Sequence, residues 1–313
     1  MRRLHSVLRR THALLATVGL AAALAAAAAP VRAEGSSPTL DRIRLTGVIT
    51  VGYRVASVPF SYLDARRQPV GYSMDICRRI VDAVRDRLGA ADIETREVPV
   101  TSATRIPMLA DGAIDLECGV TTNTAERART VGFSMTTFVA ASRLLVKKDA
   151  PVQTLQDLRG RTVVTTLATT SMTFLRAANQ SQELDMKILA GQDDVDAVRM
   201  LRNDQALAFA MDDVLLRGLV AAAPDGDAYR VCDEALTVEP YAIGLPHGDA
   251  SFKQLVDEVI VGMYRSGALY TLYRKWFQSP VPPRGINLRM PQPDWLARLV
   301  RNPTDSPDPQ DYR

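Results

Sequence analysis

Ser102, Arg105, Thr122 and Arg127 fall within one stretch, EVPVTSATRIPMLADGAIDLECGVTTNTAERARTVGFS, residues 97–134. These are side chains that hold an anion rather than transform one. A guanidinium fork presents two parallel N–H bonds to a carboxylate. Asn123 with Glu126 three residues later spells a helix N-cap and its capping partner. Free backbone N–H groups at such a helix start attract negative charge, and Arg127 stands one turn in. A carboxylate gripped by Arg127 and helix-end amides is the chemistry this set suits. The competing reading of Arg127 is an ordinary solvated arginine on a surface helix.

The elements around these residues follow from hydrophobic spacing. Ile106, Leu109 and Ala110 recur at helical intervals after Arg105, Asp111-Gly112 ends that helix, and Ile114–Leu116 reads as a strand. Upstream, Val48–Tyr53 alternates as a strand, Met74–Leu88 is an amphipathic helix with Ile76, Ile80, Val81, Val84 and Leu88 on one face, and Ile93–Val98 is a strand. Residues 35–44 read as a polar leader. Downstream come strands at Thr162–Thr166, Met186–Leu189 and Leu207–Met211, with helices opened by Thr169-Thr170, by Asp193 and by Asp213. Phe252–Ser266 and Ala268–Phe277 are helical, and Ser279–Arg313 is a Pro-rich strap with a short helix at Trp295–Val300. Alternating strands and helices predict a parallel α/β sheet.

Composition bounds the function. The chain has 313 residues, 47% hydrophobic and 23% charged, with 38 basic and 35 acidic groups for a net charge of +3. Residues 1–33 hold Arg2, Arg3, Arg9, Arg10 and Arg32 and no acid. Setting these aside leaves a slightly acidic remainder, which argues against nucleic acid or anionic membrane as a partner. His5 and His12 lie in the same segment, so His247 alone would have to serve any histidine-based triad, and a His-rich metal site is excluded. No cofactor is expected. Cys77, Cys118 and Cys232 allow one bridge at most, and the expectation is buried, mostly unpaired thiols.

Residues 1–33 read as a secretory signal: arginines first, then an apolar run from Ala13 to Pro30, then Val31-Arg32-Ala33 as a cleavage site. The alternative is an uncleaved anchor, but alanine is weakly hydrophobic and the run sits near the lower limit for a span.

The pattern DG-x-x-D-x₆-T-x₄-R followed by Phe133-Ser134 resembles the family 3 periplasmic amino-acid-binding proteins of ABC importers, above all those for glutamate and aspartate. The blocks GVITVGYRVASVPFSYLD (47–64), VGYSMDICRRIVDAV (70–84), SRLLVKKD (142–149), FAMDDVLL (209–216) and KWFQSPVPP (275–283) carry the resemblance along the chain. It implies a periplasmic-binding-protein type II-like α/β fold: two lobes, a two-crossing hinge near Val139–Arg143 and Pro240–Gly244, and a ligand cleft between them. The first lobe would be 34–140 with 241–313, the strap being 279–313, and the second 141–240. It also implies a periplasmic monomer that hands an amino acid to an ABC permease.

The same resemblance distributes roles. Arg127 and the backbone N–H groups of Thr122 and Thr170 would take the α-carboxylate. Asp212, the carbonyl of Val120 and the hydroxyl of Thr122 would take the α-ammonium. Arg54, Arg105 and Ser102 would take the far carboxylate, where the family adds a histidine and this chain has Asp194. Two arginines in a cleft call for an anion, since an uncompensated buried charge is costly. The bland alternatives are that Arg54 pairs with Asp64 or Asp75, and that Asp212 only caps the following helix, a duty Asp213 could take instead. Asp194 admits several readings: it turns away, pairs with Arg54 or Arg105, is protonated, or marks a different ligand such as glutamine or asparagine. Leu167-Ala168 replaces the glycine-containing turn usual before Thr169-Thr170. Phe60 and Tyr62 are split between packing on the ligand stem and filling the core.

Two other function classes compete with transport. Some relatives on this fold are cyclohexadienyl dehydratases, and Asp194 or Glu117 would be the acid. A sensory input domain would need a membrane span and signalling module fused to it.

Overall fold

The computed structural model describes residues 36–312, so the predicted signal segment lies outside the described residues. The elements in chain order are α1 (Pro38–Thr46), β1 (Val48–Tyr53), β2 (Ala56–Ser57), β3 (Ser61–Leu63), β4 (Pro69–Val70), α2 (Tyr72–Leu88), β5 (Glu94–Pro99), α3 (Arg105–Ala110), β6 (Leu116–Thr122), β7 (Gly132–Phe133), β8 (Phe138–Lys147), β9 (Thr162–Thr166), α4 (Thr170–Ser181), β10 (Lys187–Gly191), α5 (Asp194–Arg202), β11 (Ala208–Asp212), α6 (Asp213–Ala222), β12 (Tyr229–Val231), β13 (Thr237–Leu245), α7 (Ala250–Arg265), α8 (Ala268–Phe277) and α9 (Asp294–Arg301).

The main sheet runs β10-β9-β11-β8-β13-β6-β1-β5. β5, β1 and β6 are mutually parallel, as are β10, β9 and β11. Between these sets, β8 and β13 pair antiparallel with each other and with their outer neighbours β11 and β6. The parallel sheet expected from the sequence is therefore a mixed one. Two long strands carry the chain between its halves, and alternation of strands with helices does not reveal their direction.

Helix α2 buries Ile76, Ile80, Val81 and Val84 and turns Arg78 and Arg79 outward, as its periodicity predicts. A second core cluster is built from Leu144, Val146, Leu158, Val163, Leu175 and Ala208. Phe60 is fully buried among the rings of Tyr72, Phe138, Tyr241 and Phe277. It fills the core and leaves the ligand stem to others.

Three further expectations are corrected. The leader at 35–44 is largely helix: Ser37 caps α1 by accepting from the Leu40 N–H, with Pro38 at the first position. Cys77 and Cys118 are joined in a disulfide with a Cα–Cα distance of 6.2 Å, and only Cys232 is a free, buried thiol. Residues 41 apart in sequence meet because α2 packs on β6, a tertiary relation that cysteine spacing does not encode. Finally, Asn123 caps no helix. It is buried and donates from Nδ2 to the Asp305 carbonyl, while Arg127 opens a single 3₁₀ turn, Arg127–Arg129.

Candidate functional site

Each parallel strand ends, at its carboxyl end, on a residue singled out from sequence. Arg54 follows β1; Ser102 and Arg105 follow β5; Thr122 closes β6 and Arg127 follows it. In the other half, β9 leads to Thr170, β10 to Asp194, and Asp212 closes β11. Carboxyl ends of parallel strands, with helix N-termini beside them, are where α/β sheets bind ligands.

The first half supplies three guanidiniums. Arg54 and Arg105 are buried; Arg127 is half-buried. Arg54 donates from Nη1 to Ser102 Oγ at 3.0 Å, and its backbone N–H goes to Ser61 Oγ at 2.9 Å. It pairs with neither Asp64, which accepts from the Arg66 and Gln68 amides, nor Asp75, which holds Arg78 and Lys275. Arg105 donates from Nη1 to the Val120 carbonyl at 3.1 Å, and its Nε is buried without a partner. Burial, followed by repulsion from Arg127 and also Arg54, brings the Arg105 guanidinium down to about 9, against the pull of Glu117. Arg127 is likewise lowered by burial and supported by Glu239, Glu117 and Asp212. Arg54 and Arg127 both oppose the charge of Arg105, whose Nε is an unused donor, and such a set is one that an anion would stabilise.

Room for the cluster is made by backbone. A side chain at Gly119 would place its Cβ 2.3 Å from Glu117 Oε1 and 2.9 Å from Arg54 Cγ. Glu117 lies in β6, accepts from Thr121 Oγ1 at 2.6 Å, and has its Oε1 buried and unpartnered.

Arg127 also spans the cleft. Its Nη1 donates to the Thr122 carbonyl at 3.0 Å and its Nη2 to the Ala168 carbonyl, across the cleft, at 3.4 Å. A cleft of about 530 Å³ opens here, lined by Arg127, Ala168, Thr170, Met172 and Arg176 among others. Ala168 holds a left-handed φ of 59°, the conformation for which the missing glycine would be suited. Thr169 caps α4 by accepting from the Met172 N–H, which leaves Thr170 as the first helical residue.

On the second half, Asp213 accepts from the Val214 N–H at 2.8 Å, and Asp212 makes no capping bond. The Asp212 carboxylate turns inward, takes a hydrogen bond from the Tyr241 phenol on Oδ2, and keeps Oδ1 buried and unpartnered. Burial and then the charge of Glu239 push Asp212 well above the usual carboxylate range. Asp194 is 4% exposed. It accepts from Thr166 Oγ1 at 2.6 Å on its own side of the cleft, while the guanidiniums of Arg54 and Arg105 go to Ser102 and Val120. Asp194 and Tyr62 share a cavity of about 210 Å³ with Val55, Val58 and Leu215.

Sequence reasoning gave no role to Glu239 or Tyr241. Glu239 accepts from Thr122 Oγ1 and Thr170 Oγ1, both at 2.7 Å on Oε2, and from Thr237 Oγ1. A signal existed: an acid in the otherwise apolar strand TVEPYAIGL must find partners if buried, and Glu117 in LECGVTT is the same kind of residue.

The model of the bacterial extracellular solute-binding proteins, family 3, matches residues 49–279. The chain belongs to this family. Among family 3 relatives, it is 42% identical over 299 residues to the L-glutamate/L-aspartate-binding protein of Pseudomonas aeruginosa, covering 95% of this chain and 98% of that one. It is 40% identical over 298 residues, at the same coverages, to the glutamate/aspartate import solute-binding protein of Salmonella typhimurium. The fold matches the arginine-bound form of a truncated ArgBP from T. maritima at a TM-score of 0.62, with 27% identity over 71% of this chain and 99% of that one. It also matches the ancestral amino acid-binding protein AncCDT-1, a precursor of cyclohexadienyl dehydratase, at a TM-score of 0.63, with 29% identity over 76% of this chain and 99% of that one. This family 3 chain thus has the periplasmic binding protein type II fold, with its candidate residues at or just past strand ends in both halves of one sheet.

Proposed function

We propose that the chain is the periplasmic solute-binding component of an ABC importer, that it binds glutamate and aspartate, and that it delivers them to a membrane permease without chemical change. The observation that carries this reading is the cluster of Arg54, Arg105 and Arg127, close enough to depress Arg105 and flanked by the inward-facing carboxylate of Asp212. The relatives named for glutamate and aspartate, at 39–42% identity, support the same ligand class. In this reading Arg127 and the amides of Thr122 and Thr170 take the α-carboxylate. Asp212, the Val120 carbonyl and the Thr122 hydroxyl take the ammonium, and Arg54, Arg105 and Ser102 take the far carboxylate. The lobes comprise 34–140 with 241–313, and 141–240; the protein acts as a monomer after loss of residues 1–33.

One observation favours a second ligand. Asp194 contributes a carboxylate where the first reading wants none, and an amide end, as in glutamine or asparagine, would remove that repulsion. A thermal-shift screen of the mature chain, unfolded and refolded to strip carried-over ligand, separates the two. A ligand at ~100 times its dissociation constant adds about 2.7 kcal/mol of stability. Glutamate and aspartate should shift the transition. A shift with glutamine or asparagine alone selects the second reading, and no shift with any amino acid refutes both.

A further inference from the structure

Glu239 is 2% exposed in β13, opposite Ala140 of β8, where the two crossing strands run side by side. A carboxylate so deeply buried needs partners, and here they are hydroxyls. Thr122 reaches it from the end of β6 and Thr170 from the first turn of α4, each at 2.7 Å and each to the same oxygen, Oε2. Thr237 serves the other oxygen from within β13. Thr122 and Thr170 belong to opposite sides of the cleft. Hydrogen bonds to an ionised acceptor are roughly twice as strong as neutral ones. One oxygen therefore tethers both walls, and its tethers are two of the residues assigned to the ligand.

We propose that Glu239 is a positioning residue that clasps Thr122 and Thr170 across the cleft, so that closure of the lobes and alignment of these two threonines on the ligand are a single event. The part of this that concerns the ligand rests on the glutamate/aspartate reading, while the clasp itself can be tested with no ligand present. A weaker clasp destabilises the closed, ligand-holding form relative to the open one, and the apparent dissociation constant rises by the same factor. The change should appear mainly in release, since association rates vary little among variants of one site.

The test uses Glu239→Gln, which keeps size and removes charge, Thr170→Val, which keeps the backbone N–H and removes the hydroxyl, and the double variant. Each single change should speed glutamate release about tenfold and leave association nearly unchanged. The double should also stay near tenfold, because Glu239→Gln already weakens the one contact that Thr170→Val removes. A double variant near a hundredfold would overturn the proposal. In parallel, dyes on Arg79→Cys and Gln156→Cys report lobe separation in the ligand-free protein, Cys232 being buried. Each variant should shift the distribution toward the open form. A lowered melting temperature with an unmoved distribution would mean that Glu239 only supports the fold, and would also overturn the proposal. Should Glu239→Gln fail to fold, Thr122→Val, Thr170→Val and their combination complete the same cycle. If the wild type binds neither glutamate nor aspartate, the ligand reading falls and the dye distributions still decide the clasp.

Discussion

The Tyr241 phenol donates to Oδ2 of Asp212, from β13 to β11, and so occupies one carboxylate oxygen while the other stays bare. Burial and the neighbouring Glu239 raise Asp212, with Asp213 and Asp194 adding to the effect and the Tyr241 bond opposing it. An α-ammonium beside Oδ1 would favour the ionised form, so binding should expel a proton. Affinity is then expected to rise with pH, by up to tenfold per unit below the folded value, and calorimetry in buffers of different ionisation heat should register proton release. The sign for stability is opposite. A carboxyl raised in the fold holds its proton above its unfolded value of about 3.9, so the free protein should lose stability as pH climbs through that window. Asp212→Asn should flatten both profiles; pH-independent binding by the wild type would remove Asp212 from the site.

Arg127→Ala should weaken binding of any α-amino acid by at least about thirty-fold. The change removes a half-buried charge that also holds the Thr122 and Ala168 carbonyls. Losing one member of such a pair costs about 2–5 kcal/mol, or about thirty-fold to several-thousand-fold in affinity by titration. Retained affinity would put the ligand elsewhere.

Asp194→His should raise affinity for glutamate and aspartate at least about tenfold, since two like charges ~4 Å apart repel by about 4 kcal/mol at an effective dielectric near 20. Competition binding against glutamine gives the matching check. An unchanged or lowered affinity would mean that Asp194, held by Thr166, does not face the far carboxylate.

Ala168→Gly should stabilise the free protein by about 1 kcal/mol, read as a rise of roughly 2–4 °C in melting temperature. The gain comes from relieving a left-handed alanine, whose carbonyl would continue to meet Arg127. A loss of stability would show that the entropy of the unfolded glycine outweighs the relief.

Cys118→Ser should cost about 4 kcal/mol in a chemical-denaturation curve, the loop-entropy value for a bridge spanning 41 residues. The same loss should follow reduction of the wild type. Equal midpoints with and without reductant would exclude a stabilising bridge.

Some of this was legible in residue order and some was not. Ile76, Ile80 and Val84 announce α2 because a helix repeats its face every few residues. Arg127 stands out by its place one turn past Thr122, whereas Arg54 and Arg105 are singled out only through the family resemblance, since most arginines are simply solvated. The Cys77–Cys118 bridge, the direction of β8 and β13, and the fate of Asn123 depend on which surfaces meet after collapse. Glu239 escaped for a related reason. A buried acid is visible as an oddity in an apolar strand, but its partners Thr122 and Thr170 come from distant points and are joined only by the fold.

The pairing of β8 with β13, Phe138 through Ser142 against Tyr241 back to Thr237, gives the halves one ribbon in place of two independent cords. Separate cords would let the halves slide, swing and rotate. Strands bonded edge to edge must twist and bend together, so relative motion reduces to something near a single torsional coordinate. Under the proposed lobe assignment, an amino acid entering the cleft would meet walls that return along the same path each time, with the alignment of opposing residues inherited from the axle.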